Sequence, residues 1–73
     1  MDLAHEIFKI QNIVLEEYQR EFSRSCTIGM GKVYGEFGHD YMDFPVFNEA
    51  KKEIAEIRYD FMSETAFVIN QID

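Results

Sequence analysis

The strongest pattern in this chain is an apolar stripe that runs from Pro45 to Ile72. Apolar residues recur there at steps of three or four, which is the spacing of one buried face of an α-helix. The stripe comprises Phe47, Ala50, Ile54, Ile57, Phe61, Val68 and Ile72, with Thr65 filling its gap. Asp43 is a suitable N-cap, and Pro45 suits a first turn, where no amide donor is needed. The pattern predicts one helix over residues 44–72, with a break near Ser63 as the alternative.

A second helical pattern occupies residues 2–24. Its apolar face contains Leu3, Ile7, Ile10, Val14, Tyr18 and Phe22 and is widened by Ala4, Phe8 and Leu15. Asp2 can cap the N-terminus, while Arg20 and Arg24 suit the negative end of the helix dipole. The pattern predicts an amphipathic helix with a wide apolar face.

Residues 25–43 form the connector between the two predicted helices. All four glycines of the chain fall here, which disfavours a continuous helix. Residues with high strand propensity lie between the glycines, so Thr27–Met30 and Val33–Phe37 can pair as a short β-hairpin. An irregular glycine-rich loop fits the same composition. The connector therefore leaves two structures open.

Two long amphipathic helices joined in this way predict a mainly α fold, an antiparallel helical hairpin. The 73 residues make a single small domain, 1–73. Two helices cannot cover apolar faces of this width by themselves. We therefore expect either a homodimer that forms a helical bundle or docking onto a partner protein.

Charge and cysteine content restrict the classes of partner and compartment. The formal net charge of −7 argues against direct binding to nucleic acid or to an anionic membrane, but it permits a basic protein surface. The single cysteine, Cys26, excludes an internal disulfide. We expect neither a signal peptide nor a membrane span, because the first residues lack a basic region with an apolar core and no apolar run is long enough. We expect a cytoplasmic protein, located in the host cytoplasm if it is viral.

Candidate catalytic and metal sites are weak. The segment from Gly29 to Gly35 lacks the glycine spacing of a dinucleotide fingerprint and the residues of a phosphate-binding loop. His39, Asp40 and Asp43 lie close in sequence but match no metal-binding spacing. We therefore predict no catalytic residue, no metal and no cofactor.

The remaining signal is an acidic ridge along the predicted second helix. It consists of Glu49, Glu53, Glu56, Asp60 and Glu64, with Phe67 at its C-terminal end and Tyr59 nearby. Carboxylates three or four residues apart on a helix are roughly 5–6 Å apart. Phosphates along a DNA strand have a comparable separation, so such a ridge can occupy a groove built for a nucleic-acid backbone. We predict that these residues bind a partner; a solvated helix face is the structural alternative.

These observations favour a small acidic interaction protein without enzymatic activity. It would inhibit or modulate a nucleic-acid-processing protein through its acidic ridge, as phage-type host-takeover or anti-defence proteins do. One alternative is a structural module that homodimerises into a helical bundle. A second alternative is a Mg²⁺-dependent all-α nucleotide pyrophosphohydrolase, which would use Glu16, Glu17 and Glu21 with Glu53, Glu56 and Asp60.

Overall fold

The computed structural model describes residues 3–71, which form one helix packed on one antiparallel sheet. The helix α1 spans Leu3–Glu21. The strands are β1 (Thr27–Ile28), β2 (Lys32–Tyr34), β3 (Tyr41–Phe47), β4 (Glu53–Asp60) and β5 (Thr65–Ile69). Only the first of the two predicted helices is present. Within the described range, this helix is not long and apolar enough to cross a membrane.

Strands β3, β4 and β5 follow one another as a meander, and β1 and β2 both pair with the other side of β3. Every pairing is antiparallel. Antiparallel neighbours need only short connections, which suits the brief turns between these strands. The curled sheet therefore ends in β1 and β2 on one side and in β5 on the other.

The predicted helix over residues 44–72 is wrong, and with it the mainly α helical hairpin. Strands β3, β4 and β5 occupy this stretch instead. From Ala55 to Phe61 apolar and polar residues alternate, and only the apolar ones are fully buried. Ile57 and Phe61 are four residues apart, a step that fits both a helical stripe and one face of a strand. Ile72 and Asp2, which also carried the helix predictions, lie outside the described residues.

Two side-chain-capped turns break the stripe and reverse the chain. After β3, the Oδ1 atom of Asn48 accepts hydrogen bonds from two amides of the turn at 2.9 and 3.0 Å, and Lys51 adopts a φ of 62°. After β4, the Oδ1 atom of Asp60 accepts an amide at 2.8 Å, and Glu64 adopts a φ of 57°. Such Asx turns offer the backbone an alternative to helical bonding. Ser63, the predicted break, lies in the second turn.

The connector contains strands, but the predicted β-hairpin is wrong because β1 and β2 pair with β3 and not with each other. Pro45 explains why they are separate. The Gly29 amide donates to the Pro45 carbonyl at 2.8 Å, so the backbone of Pro45 faces this edge. Proline has no N–H to give in return, and the ladder cannot continue past it. The chain leaves β1 after Ile28 and rejoins the sheet at Lys32.

The core lies between α1 and the inner face of the sheet. Its buried residues are Ile10, Val14, Phe44, Val46, Ala55, Ile57, Tyr59 and Phe61. Aromatic edge-to-face contacts of 4.8 and 5.4 Å between ring centroids link Phe61 to Phe37 and to Tyr59. Burying apolar side chains of this size stabilises a fold by roughly 1.5–3 kcal/mol each.

Candidate functional site: an apolar groove beside the helix

The helix does not cover the inner sheet face evenly. Its backbone packs closely on β4 and β5 and less closely on the strands at the other side of the sheet. An α-helix is about 10 Å wide and neighbouring strands are about 4.8 Å apart, so one helix shields about two strands. Val46 of β3 is nonetheless fully buried, so the space that stays open lies between α1, the Met42 and Phe44 end of β3, and the β1–β2 edge.

This groove is large and almost entirely apolar. Its volume is about 520 Å³. The lining consists of Ile7, Ile10, Gln11, Val14, Leu15, Ile28, Gly29, Met30, Gly31, Met42 and Phe44. Gln11 contributes the only polar side chain of that lining, and no charged group enters it. The groove can hold apolar side chains but offers no acid, base or nucleophile.

Several lining side chains are exposed although they are large and apolar. Met30 is 92% exposed, Leu15 is 42% exposed and Ile7 is 40% exposed. Ile7 and Leu15 lie on one side of α1 together with Gln11, four residues apart at each step. Contiguous apolar surface of this kind marks interaction sites more often than isolated exposed residues do.

The floor of the groove depends on a close approach between Gly31 and Phe44. A Cβ atom on Gly31 would lie 2.4 Å from the Phe44 ring, which is closer than atoms can pack. Gly31 therefore lets the chain pass over this ring, and Met30 projects into solvent beside it. The segment between β1 and β2, which leaves the sheet opposite Pro45, thus forms the mouth of the groove.

The residues of the predicted acidic ridge do not form a helical ridge, because they belong to strands and turns. Glu49 lies in the β3–β4 turn, Glu53, Glu56, Tyr59 and Asp60 lie in β4, Glu64 lies in the β4–β5 turn, and Phe67 lies in β5. Side chains alternate between the two faces of a strand, so Tyr59 points inward while Glu56 and Asp60 point outward. The prediction of a continuous acidic ridge on a helix is therefore wrong. The partner-binding role of the individual residues stays a prediction.

Several of these residues have structural partners of their own. Asp60 caps the β4–β5 turn. Glu64 accepts a hydrogen bond from Lys9 of α1, which raises the pKa of that ammonium group. Glu56 accepts a hydrogen bond from Asn70 at 3.1 Å. Glu49 and Glu53 are exposed near the β3–β4 turn.

Tyr59, one of the predicted partner-binding residues, is fully buried under α1. Its hydroxyl group makes no hydrogen bond to any residue from 3 to 71. Burial raises the pKa of this phenol above its usual value near 10, because the charged form would lose its hydration. Tyr59 is therefore a core residue in this fold.

Asp43 is not the predicted helix N-cap. It lies in β3 at 6% exposure and receives two hydrogen bonds from Arg58 of β4, at 2.9 and 3.0 Å. The hydrogen bonds with Asp43 raise the pKa of the Arg58 guanidinium. The guanidinium also lies 3.9 Å from the ring centroid of Tyr41, and Tyr41 stacks on Tyr34. These contacts tie β2, β3 and β4 together on the outer face of the sheet.

Sequence reasoning missed the groove because it assigned the lining strands to a helix and a loop. One signal for it was present. The apolar faces of the two predicted helices were expected to be too wide for the helices to cover by themselves, and Ile7 and Leu15 of the first face are 40% and 42% exposed. No feature of the sequence indicated that Met30 is exposed, apart from the single glycine on each side of it.

The residues from 3 to 71 hold no group of three or more His, Cys, Asp or Glu side chains that could bind a metal ion. The acidic residues of the hydrolase alternative are divided between α1 and β4, and the helical bundle on which that alternative was based does not form. Comparisons with protein-family models, with curated proteins and with solved structures found no match for this chain.

Proposed function

We propose that this chain is a small acidic interaction protein that binds a basic amphipathic helix of a partner protein in the apolar groove. The observation that carries the proposal is the open apolar groove between α1 and the β1–β2 edge. This groove of about 520 Å³ can take several apolar side chains from one face of a partner helix. A helix laid there would complete the second layer of the fold.

The chemistry of the groove selects an apolar contact face for the bound helix. Ile10, Val14 and Phe44 form a buried floor, and Met30 can fold over the occupant from the rim. Met is flexible and polarizable, and it suits surfaces that adapt to a helix. Recognition of an amphipathic helix in an apolar groove is a common binding mode, with anchors at i, i+3, i+4 and i+7.

The charge of the chain favours a basic polar face on that helix. The net charge of −7 attracts a cationic partner and speeds its association, an effect that salt weakens. Basic helices are widely used to contact nucleic acid. Occupying such a helix would inhibit or modulate a nucleic-acid-processing partner.

A synthetic helix tests this proposal. The probe is an amphipathic peptide of about 18 residues with leucine on one face and lysine on the other, titrated by isothermal calorimetry. We expect Leu15→Glu to weaken binding at least about tenfold, because the carboxylate would be buried without a partner. Phe8→Glu is the matched control, since Phe8 is 63% exposed on the same helix but outside the groove lining.

Two further peptides separate the parts of the proposal. A peptide with glutamate on its polar face should bind more weakly than the lysine peptide, and the difference should shrink at high salt. Equal affinity of Leu15→Glu and Phe8→Glu for the lysine peptide would place binding outside the groove. Equal affinity of the two peptides for the unmodified chain would refute the preference for a basic partner.

A further inference from the structure

The strand β5 forms a sheet edge without the features that usually protect one. It runs unbroken through Thr65–Ile69, contains no charged residue and no proline, and pairs with β4 without a register shift. Proteins generally blunt such edges with lysine, proline, bulges or short strands. The opposite edge has those features, because β1 and β2 are short, face Pro45 at their break and include Lys32.

The direction of the backbone groups along β5 can be derived from the sheet. The Gly29 hydrogen bond shows that Pro45 faces β1, and residues of an antiparallel strand alternate in direction. The backbone N–H and C=O groups of Phe44 therefore point toward β4, and those of its pairing partner Ile57 point toward β3. The backbone groups of the next residue, Arg58, point toward β5, where Arg58 pairs with Phe67.

The backbone of Phe67 therefore forms hydrogen bonds with β4, and the backbone groups of the two neighbouring residues point away from β4. Ala66 and Val68 direct their N–H and C=O groups away from the sheet. The strand is bounded by Glu64 before it and by Asn70 after it, because these residues adopt φ angles of 57° and 50°, which are not extended. The outward-pointing groups of β5 are thus those of Ala66 and Val68.

We propose that β5 pairs with β5 of a second copy of this chain in an antiparallel, two-fold symmetric arrangement centred on Phe67. Ala66 of each copy would exchange both backbone hydrogen bonds with Val68 of the other. Phe67, which is 42% exposed on the outer face, would lie opposite its own symmetry mate. The two sheets would join into one.

Charge and polarity agree with a second copy as the occupant. In this register Thr65 lies opposite Ile69, and Glu64 lies opposite the uncharged Asn70, so no like charges meet along the seam. Like charges directly opposite one another would destabilise a strand pair. The pairing is also closed, because the broken β1–β2 edge offers no equivalent strand for further growth. We therefore expect a dimer and not a fibre.

Sedimentation equilibrium of the full chain, from about 1 to about 500 µM, tests the proposal together with amide exchange. We expect a monomer–dimer equilibrium that Phe67→Lys weakens at least about tenfold, because two ammonium groups would face each other. An equimolar mixture of Phe67→Lys and Phe67→Glu should restore dimerisation. Phe8→Lys is the control, since Phe8 is exposed on α1.

Amide exchange gives a measurement that does not depend on the variants folding. The amides of Ala66 and Val68 should become more protected as the protein concentration rises. The amide of Phe67 should be protected at every concentration, because it bonds to β4. A chain that stays monomeric throughout, or a dimer that Phe67→Lys leaves intact, would overturn the proposal. A mixture of the Lys and Glu variants that fails to associate would also overturn it.

Discussion

The hydroxyl group of Tyr59 illustrates a conflict between packing and polarity at a single residue. Its ring fills the centre of the core, but the hydroxyl is buried without a hydrogen-bond partner among residues 3 to 71. Such a group costs roughly 1–3 kcal/mol relative to a paired one. Tyr18 provides the contrast, because its hydroxyl donates to the carbonyl of Cys26.

We therefore expect Tyr59→Phe to raise the free energy of unfolding by about 1 kcal/mol, since it removes the unpaired group and keeps the ring. Tyr18→Phe should lower it by about 1 kcal/mol, because it leaves a carbonyl without its donor. Urea denaturation monitored by circular dichroism measures both. A clear loss of stability in Tyr59→Phe would show that this hydroxyl is satisfied in solution.

Tyr59 also predicts a response to alkaline pH. Its pKa is raised in the folded state, so above about pH 10 the unfolded chain releases this proton while the folded chain retains it. The stability associated with the neutral phenol is present below that pH and is lost as the pH rises. Tyr59→Phe should therefore lose less stability between about pH 9 and pH 11 than the unmodified chain. Equal losses in thermal melts would contradict this explanation.

The ion pair of Asp43 and Arg58 should contribute more than the exposed pair of Lys9 and Glu64. Asp43 is nearly buried, so removal of Arg58 leaves a carboxylate without its counter-ion. Because the Arg58 side chain is itself 32% exposed, we expect Arg58→Ala to cost about 2 kcal/mol, less than the roughly 3–5 kcal/mol of a fully buried pair. Glu64→Gln is the control and should change the unfolding midpoint much less, because surface pairs contribute little. Similar losses in both variants would refute the difference.

At the scale of elements, the edge formed by β1 and β2 depends on the contact of Gly31 with Phe44. Gly31→Ala should lower the free energy of unfolding by about 1–3 kcal/mol, since the added methyl group would overlap the Phe44 ring. Met30→Ala should have little effect on stability, because Met30 is almost fully exposed. Chemical denaturation of both variants provides the measurement. An unchanged midpoint in Gly31→Ala would mean that the edge shifts freely.

The first helix was predictable from the sequence, and the strands after it were not. In α1 the apolar spacing had no competing periodicity, and the described helix lies within the predicted limits. In β4 and the residue after it, Ile54, Ile57 and Phe61 fit a helical stripe, but Ala55, Ile57 and Tyr59 form the buried face of the strand. The helical assignment placed Tyr59 beside the acidic ridge, on a polar flank, which was the sign of the wrong period.

Two local signals could have corrected the assignment. Asn48 and Asp60 each lie where a turn begins, and their side chains bond to the turn amides. Thr65–Ile69 is rich in β-branched and aromatic residues, which favour a strand. The groove was harder to predict, because it depends on how the helix lies on the sheet. The sequence pattern had predicted a second helix in place of that sheet.

At the scale of the whole molecule, the fold has one layer that is incomplete and one edge that is unprotected. The incomplete layer is the helix layer, which leaves the groove beside the β1–β2 edge, and the unprotected edge is β5. They lie on different sides of the sheet, so a bound helix and a second copy would not compete for the same residues. The proposed interaction function depends on the first feature alone.

Methionine methyl NMR of the chain during titration with the lysine-faced amphipathic peptide tests this central claim most directly. Met30 and Met42 line the groove, whereas Met62 is 76% exposed in the β4–β5 turn and serves as an internal control. We predict that the methyl signals of Met30 and Met42 shift in a saturable manner while that of Met62 stays in place. Shifts confined to Met62, or no saturable shift at Met30 and Met42, would contradict the proposal that the groove binds a partner helix.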